Sequence, residues 1–96
     1  MKYKDIIEEI VLIKQQRSDF IDKFDKDYEY VKDSLINAVN NNYINSIRVH
    51  KFLTHNKKIG KVKTAKFLQT IDLNENTKIL ELNHKNIFKI AEFTIN

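Results

Sequence analysis

The segment FLTHNKKIGKVKTA, residues 52–65, holds the only glycine of the chain, Gly60, between two short apolar stretches. Glycine lacks a Cβ, so its backbone can adopt positive φ or approach a ligand closely. A lone glycine between two helices therefore predicts a turn of special backbone geometry, with Ile59 and Val62 packed inward to hold it rigid. The alternative is that Gly60 simply closes a helical hairpin through a left-handed cap.

Lysines surround this turn. The backbone N–H groups of Gly60 and Lys61 can approach an anion closely, and the start of the following helix adds unpaired N–H groups and the positive end of the helix dipole. Full charges are added around the same point by Lys57, Lys58, Lys61 and Lys63. The turn is therefore predicted to bind a phosphate oxygen.

The charge of the chain is uneven. Residues 1–44 carry 7 basic and 9 acidic side chains, whereas residues 45–96 carry 10 basic and 4 acidic ones. The stretch 45–66 contains no acid and seven cations: Arg48, Lys51, Lys57, Lys58, Lys61, Lys63 and Lys66. Ordinary solvent-exposed faces mix both signs, so this stretch indicates a polyanionic partner, of which nucleic acid is the commonest. Three alternatives remain: a basic surface with no specific partner, an acidic protein as the partner, or a membrane surface as the partner.

Composition limits the fold and the chemistry. A chain of 96 residues forms one small domain, and the absence of proline together with a single glycine predicts an all-helical fold. The absence of cysteine excludes disulfides and thiolate chemistry. No apolar run approaches the roughly 20 residues that a membrane span needs, and no export signal follows the first residues. No metal site, cofactor, small-molecule substrate or enzymatic activity is predicted, and a cytoplasmic location is expected.

Apolar periodicity and capping residues predict five helices. Four cover about residues 4–24, 28–39, 61–70 and 84–93, and the third in chain order begins near residues 46–48 and ends near residue 55. Asp27 and Asn83 are the expected N-caps of the second and last helices. Ser18 could instead split the first helix. Residues 77–82 fit either a short helix or an extended piece, and the alternation of Ile47 and Val49 leaves the start of the third helix open to an extended form.

The basic turn resembles the helix-two-turns-helix motif, which a small-subunit ribosomal protein and some DNA glycosylases also contain. The chain more fully resembles the actinobacterial integration host factor family, whose Gly-Lys-Val-(Lys/Arg) turn here reads as residues 60–63. The family's hydrophobic-basic-Val segment reads as residues 47–49. Further upstream its apolar and charged positions match without a gap: Arg17, Phe20, Asp22, Phe24, Val31 and Leu35. In the family's arginine-rich segment this chain keeps Lys78 alone.

This resemblance implies a nucleoid-associated protein that binds double-stranded DNA with low sequence preference, bends or compacts it, and supports site-specific recombination beside a recombinase. It implies N-terminal helices over residues 1–42 and a helix-two-turns-helix region over residues 43–96, in a monomer. The predicted DNA contacts are Arg48, Lys51, Lys57, Lys58, Gly60, Lys61, Lys63, Lys66 and Lys78. The alternatives are an RNA- or ribosome-associated protein that uses the same motif, and a basic protein–protein adaptor. The stripe of Ile6, Ile10 and Ile13 could serve dimerisation or pack on the domain.

Overall fold

The computed structural model describes residues 3–96, with side chains described from residue 6 onward. Five α-helices follow one another along this range: α1 (Tyr3–Asp22), α2 (Tyr28–Val39), α3 (Val49–Thr54), α4 (Lys61–Thr70) and α5 (His84–Thr94). A 3-10 turn, Ile79–Glu81, precedes α5. The described residues contain no β-strand, so the prediction of an all-helical chain is confirmed. Within the same range no helix is long and apolar enough to span a membrane.

The second half of α1 packs on the domain through aromatic rings. Phe52 of α3 is fully buried, and its ring stacks on Phe20 at 4.7 Å and meets the edge of Phe24 at 5.0 Å. Such ring pairs stabilise a core beyond the area that they bury. The helix runs through Ser18 without a break and ends at Asp22, two residues before the predicted end. Phe24 therefore reaches the core from the turn that follows α1.

The first half of α1 extends beyond the domain. Its apolar side chains are largely exposed, from 42% for Ile6 to 60% for Val11. Ile7, Ile10 and Leu12 share this exposure. The molecule is consequently elongated, with principal extents of 47 × 24 × 23 Å. The apolar stripe predicted along the whole helix packs on the domain in its second half and faces solvent in its first half.

Helices α2 and α5 pack together as the centre of the core. Val31, Leu35 and Ala38 of α2 are buried, as are Ile87, Ile90 and Ala91 of α5. Both predicted N-caps are confirmed: an oxygen of Asp27 accepts the Tyr30 N–H at 2.8 Å, and that of Asn83 accepts the Asn86 N–H at 2.8 Å. These bonds satisfy donors that a helix start leaves unpaired. Both helices begin at the predicted residue.

Helix α3 begins at Val49, one to three residues after the predicted start at residues 46–48, because residues 45–49 pair with residues 77–80. The Val49 N–H donates to the Thr77 oxygen at 2.9 Å, and the Ile79 N–H donates to the Ile47 oxygen at 3.0 Å. Ile47, Val49 and Ile79 are buried, and β-branched side chains favour this extended form. The open choice for residues 77–82 is thereby resolved as an extended piece followed by the 3-10 turn. An isolated antiparallel bridge places Arg48 opposite Lys78.

The turn between α3 and α4 differs from its prediction. Gly60 is the N-cap of α4 with φ −69° and ψ 144°, which is ordinary extended backbone. A Cβ at this position would find the Lys63 Cβ at 4.0 Å as its nearest neighbour. The expectation of special geometry at Gly60 is therefore wrong, and so is that of a left-handed cap there. The left-handed residue of the turn is Lys57, with φ 66°.

Val62 also differs from its prediction, because it is 69% exposed instead of packed inward. Helix α4 begins at Lys61, and its buried positions are Thr64 and Leu68, one turn apart on the face opposite Val62. The Thr64 hydroxyl donates to the Gly60 oxygen at 2.8 Å and thereby satisfies its own buried oxygen. Ile59 is buried as predicted and anchors the turn.

Candidate nucleic-acid interface

Helix α3 buries one face and presents polar side chains on the other. Phe52 and Leu53 are fully buried in the core. Lys51 and His55, four residues apart, lie on the opposite, exposed side, and Arg48 is the exposed N-cap that precedes the helix. Burial of the apolar face therefore fixes the direction of Lys51 and His55.

The start of α4 is held against α3 by His50. Its Nε2 lies 3.0 Å from the Lys61 carbonyl oxygen, so this nitrogen carries the hydrogen and donates to that oxygen. The bond fixes the position of Lys61 relative to Lys51. It also orients the first turn of α4, where no side chain caps the helix. The N–H groups of this turn are left by helix geometry without intrahelical acceptors.

Two depressions of about 460 and 310 Å³ run along this side of the molecule. They share His50, Lys61 and Glu75 in their linings, so they adjoin, and we call the two together the basic furrow. The cations that line it are Lys51, Lys57, Lys61 and Lys66. Among the described residues Glu75 is the one acid in its lining. A groove with this charge balance attracts anions along its whole length.

Two of the lysines predicted around the turn, Lys58 and Lys63, lie outside the furrow. Lys58 Nζ is 3.4 Å from a carboxylate oxygen of Asp25. Lys63 Nζ is 3.4 Å from the Asn96 carbonyl oxygen and 5.8 Å from the centre of the Phe93 ring. Both line a separate small depression together with Gly60. The single cluster expected around the turn is thus divided by the structure: Lys57 and Lys61 line the furrow, whereas Gly60 lies with Lys58 and Lys63 in the separate depression.

The bridge between residues 48 and 78 brings together two cations that are thirty residues apart in sequence. Arg48 and Lys78 are both exposed, and Lys78 lies opposite Arg48 across the bridge. The Lys78 N–H donates to a Glu81 carboxylate oxygen at 2.7 Å, which fixes the turn that carries it. These two predicted contacts therefore share one edge of the domain.

Three residues that line these depressions were not among the predicted contacts: Glu75, Lys14 and Arg17, the last of which the sequence identified only as a position that matches the family. Glu75 follows the end of α4 and enters the furrow, whereas the two cations lie on α1 and line a third depression, which they share with Lys51 and His55. The spacing of Lys14 and Arg17 puts both on one helix face, which is the signal that could have identified them. Their partner across the depression is fixed by the tertiary fold.

Comparison of the chain with models of protein families, with characterised proteins and with solved structures finds no match. Its function is therefore inferred from charge and geometry.

Proposed function

We propose that this protein binds double-stranded DNA without enzymatic activity and with low sequence preference, through the backbone phosphates. In the manner of the integration host factor family that its sequence resembles, it bends or compacts the duplex and supports recombination. The proposal is carried by one observation, the basic furrow along α3 and α4, which has four lysines and one acid. A site of this kind suits a repeated anion better than a small molecule.

The chemistry of the furrow favours phosphates over base edges. Lysine is a compact point charge on a flexible stem, so it binds phosphates without the fixed fork that arginine presents to guanine. Phosphate contacts position a protein on the duplex and carry no sequence information directly. The uncapped first turn of α4 adds N–H donors beside Lys61.

One-sided charge neutralisation supports the bending. The furrow cations meet phosphates on one side of the duplex and leave the repulsion between the remaining phosphates unbalanced. The duplex then curves toward the protein, at a deformation energy that depends on its sequence. Energy transfer between dyes at the two ends of a short duplex measures this curvature, and we expect transfer to increase as the protein is added.

The test is a salt series of binding titrations with labelled duplex DNA, duplex RNA and single strands. The four furrow lysines and Arg48 would contact about five phosphates, so log K should fall against log salt with a slope near −4 to −5 at about −0.9 per phosphate. A scrambled duplex should bind within about tenfold. Preference for duplex RNA would identify an RNA-binding protein, and absence of binding at low salt would leave the protein–protein adaptor.

Charge reversal identifies the binding face. Lys61→Glu should weaken DNA binding severely, and the matched control Lys23→Glu at the end of α1 should have little effect. Both lysines are exposed, and exposed charges contribute little to stability, so both variants should keep the melting temperature. Equal losses of affinity in the two variants would mean that net charge drives binding and that the furrow has no special part.

A further inference from the structure

A third depression, of about 230 Å³, lies between α1 and α3. Lys14, Arg17 and Ser18 line it from α1, and Lys51 and His55 line it from α3. Three cations of two helices therefore converge on a groove wide enough for an anionic group. We call this groove the α1 cleft.

The α1 cleft continues the basic furrow. Lys51 and His55 line both the cleft and the adjoining depression of the furrow, so the two are separated by these side chains alone. The combined channel runs from Lys66 on α4, past Lys61 and Lys51, to Lys14 on α1. A polyanion bound along the furrow would therefore meet α1 at its far end.

Arg17 is held in place for this contact. Its Nη1 donates to the Ser46 hydroxyl at 2.7 Å, and the residue as a whole is half-buried. A guanidinium has five N–H donors, so four remain for a ligand, and the bond to Ser46 lowers the entropy lost when they are used. Lys14 is exposed and lies one turn away on the same helix face.

The α1 cleft also has an acid in its lining, Asp22, which lies further along α1 than Lys14 and Arg17. Asp22 is about 7.5 Å along the helix axis from Arg17 at roughly 1.5 Å per residue. Its carboxylate is 3.4 Å from Nε2 of His55. The cationic end of the cleft, formed by Lys14, Arg17 and Lys51, is therefore the end where a phosphate would be bound.

We infer that Lys14 and Arg17, beside Lys51, extend the DNA contact of the furrow onto α1 by neutralising one further phosphate each. The inference rests on the proposed function and adds a second element, α1, to an interface that was otherwise confined to residues 48–78. The bound duplex crosses from the start of α4 to the middle of α1, so the expected salt slope steepens from about −4.5 for the furrow and Arg48 alone to about −6 for the complete interface.

The experiment compares two double variants that remove the same charge. Lys14→Gln/Arg17→Gln removes the two cations that α1 contributes to the cleft and leaves Lys51. Lys85→Gln/Lys89→Gln removes two exposed lysines of α5 that lie outside the three depressions. At about −0.9 per phosphate, the salt slope should become shallower by about 2 in the first variant. In the control the change should stay below about 0.5. Lys14→Gln alone, at an exposed position, should make the slope shallower by about 1 even if the double variant unfolds.

The outcomes separate this inference from the function on which it rests. If the unchanged protein binds duplex DNA and Lys61→Gln weakens binding, but the cleft variant matches its α5 control, the inference is overturned and the furrow stands. If the unchanged protein does not bind duplex DNA at low salt, both the proposed function and this inference are refuted. Ser46→Ala distinguishes the role of the Arg17 anchor, because it should reduce affinity modestly and leave the salt slope intact.

Discussion

Replacement of Gly60 separates helix capping from phosphate binding. Gly60 caps α4 in extended backbone, at φ −69°, where any residue fits. The space for a Cβ is open, with its nearest neighbour at 4.0 Å. Asparagine and aspartate have nearly the same shape, and both cap helices well. The pair Gly60→Asn and Gly60→Asp therefore differs in one charge at the point where the first turn of α4 would meet a phosphate.

The magnitudes follow from this geometry. Replacing glycine restricts the unfolded chain and stabilises by about 0.4–1 kcal/mol, to which a better N-cap adds a few tenths. Gly60→Asn should thus stabilise by about 1 kcal/mol, which for a domain of this size raises the melting temperature by roughly 4–8 °C. Gly60→Asp should stabilise at least as much, because a carboxylate also interacts with the helix dipole. In Gly60→Ala the poorer cap offsets the entropy gain, so its melting temperature should stay within about 2–4 °C of the unchanged protein.

The affinity for duplex DNA should rank these variants in a different order from their thermal stability. A carboxylate close to a phosphate repels it by at least about 1 kcal/mol, even at the dielectric constant of water. Gly60→Asp should therefore bind duplex DNA at least about fivefold more weakly than Gly60→Asn at low salt, in spite of its higher melting temperature. Thermal denaturation and fluorescence anisotropy on the same samples give both quantities. Equal affinities for the two variants would show that no phosphate approaches this end of α4, and a large loss of stability in Gly60→Ala would refute the capping argument.

Two further changes test the furrow and the core. Glu75→Gln removes the acid that lines the furrow and should raise the affinity for duplex DNA by roughly fivefold. The control Glu92→Gln removes an equal charge from α5, outside the furrow, and should leave the affinity within about twofold of that of the unchanged protein. Phe52→Ala deletes a fully buried ring that contacts Phe20 and Phe24. In denaturant titration the free energy of unfolding should fall by about 3–5 kcal/mol. A loss below about 1 kcal/mol would show that this ring does not hold α1 on the domain.

Helices with local signals were predictable from the sequence. α2 and α4 have the predicted bounds, and α5 extends one residue further, to Thr94. Asp27 and Asn83 determine where α2 and α5 start, through hydrogen bonds to residues three positions further along the chain. Because these bonds are local, the sequence pattern alone is sufficient to predict them. Helix α1 was likewise identified by its apolar period.

Features that depend on distant residues were not predictable in the same way. The late start of α3 comes from hydrogen bonds between residues about thirty positions apart. Helix and strand propensities describe neighbouring residues only, so they do not predict such bonds. The lysines of the turn all lie between residues 57 and 63. The direction of Lys63 depends on which face of α4 is buried, whereas Lys58 precedes that helix and is directed toward Asp25. Lys58 and Lys63 therefore leave the cluster, and Lys14 and Arg17, some thirty-five residues upstream, approach Lys51.

The projecting half of α1 has a consequence for local stability. Its side chains between Ile6 and Leu12 are exposed, so this part of the helix is held mainly by its own backbone hydrogen bonds. Helical segments of this length are marginal in water without packing. The amides of this half should exchange with deuterium at rates near those of open chain, while those around Leu35 and Ile90 exchange at the rate of global unfolding. A protease can thus remove the first turns of the helix and leave the basic furrow folded.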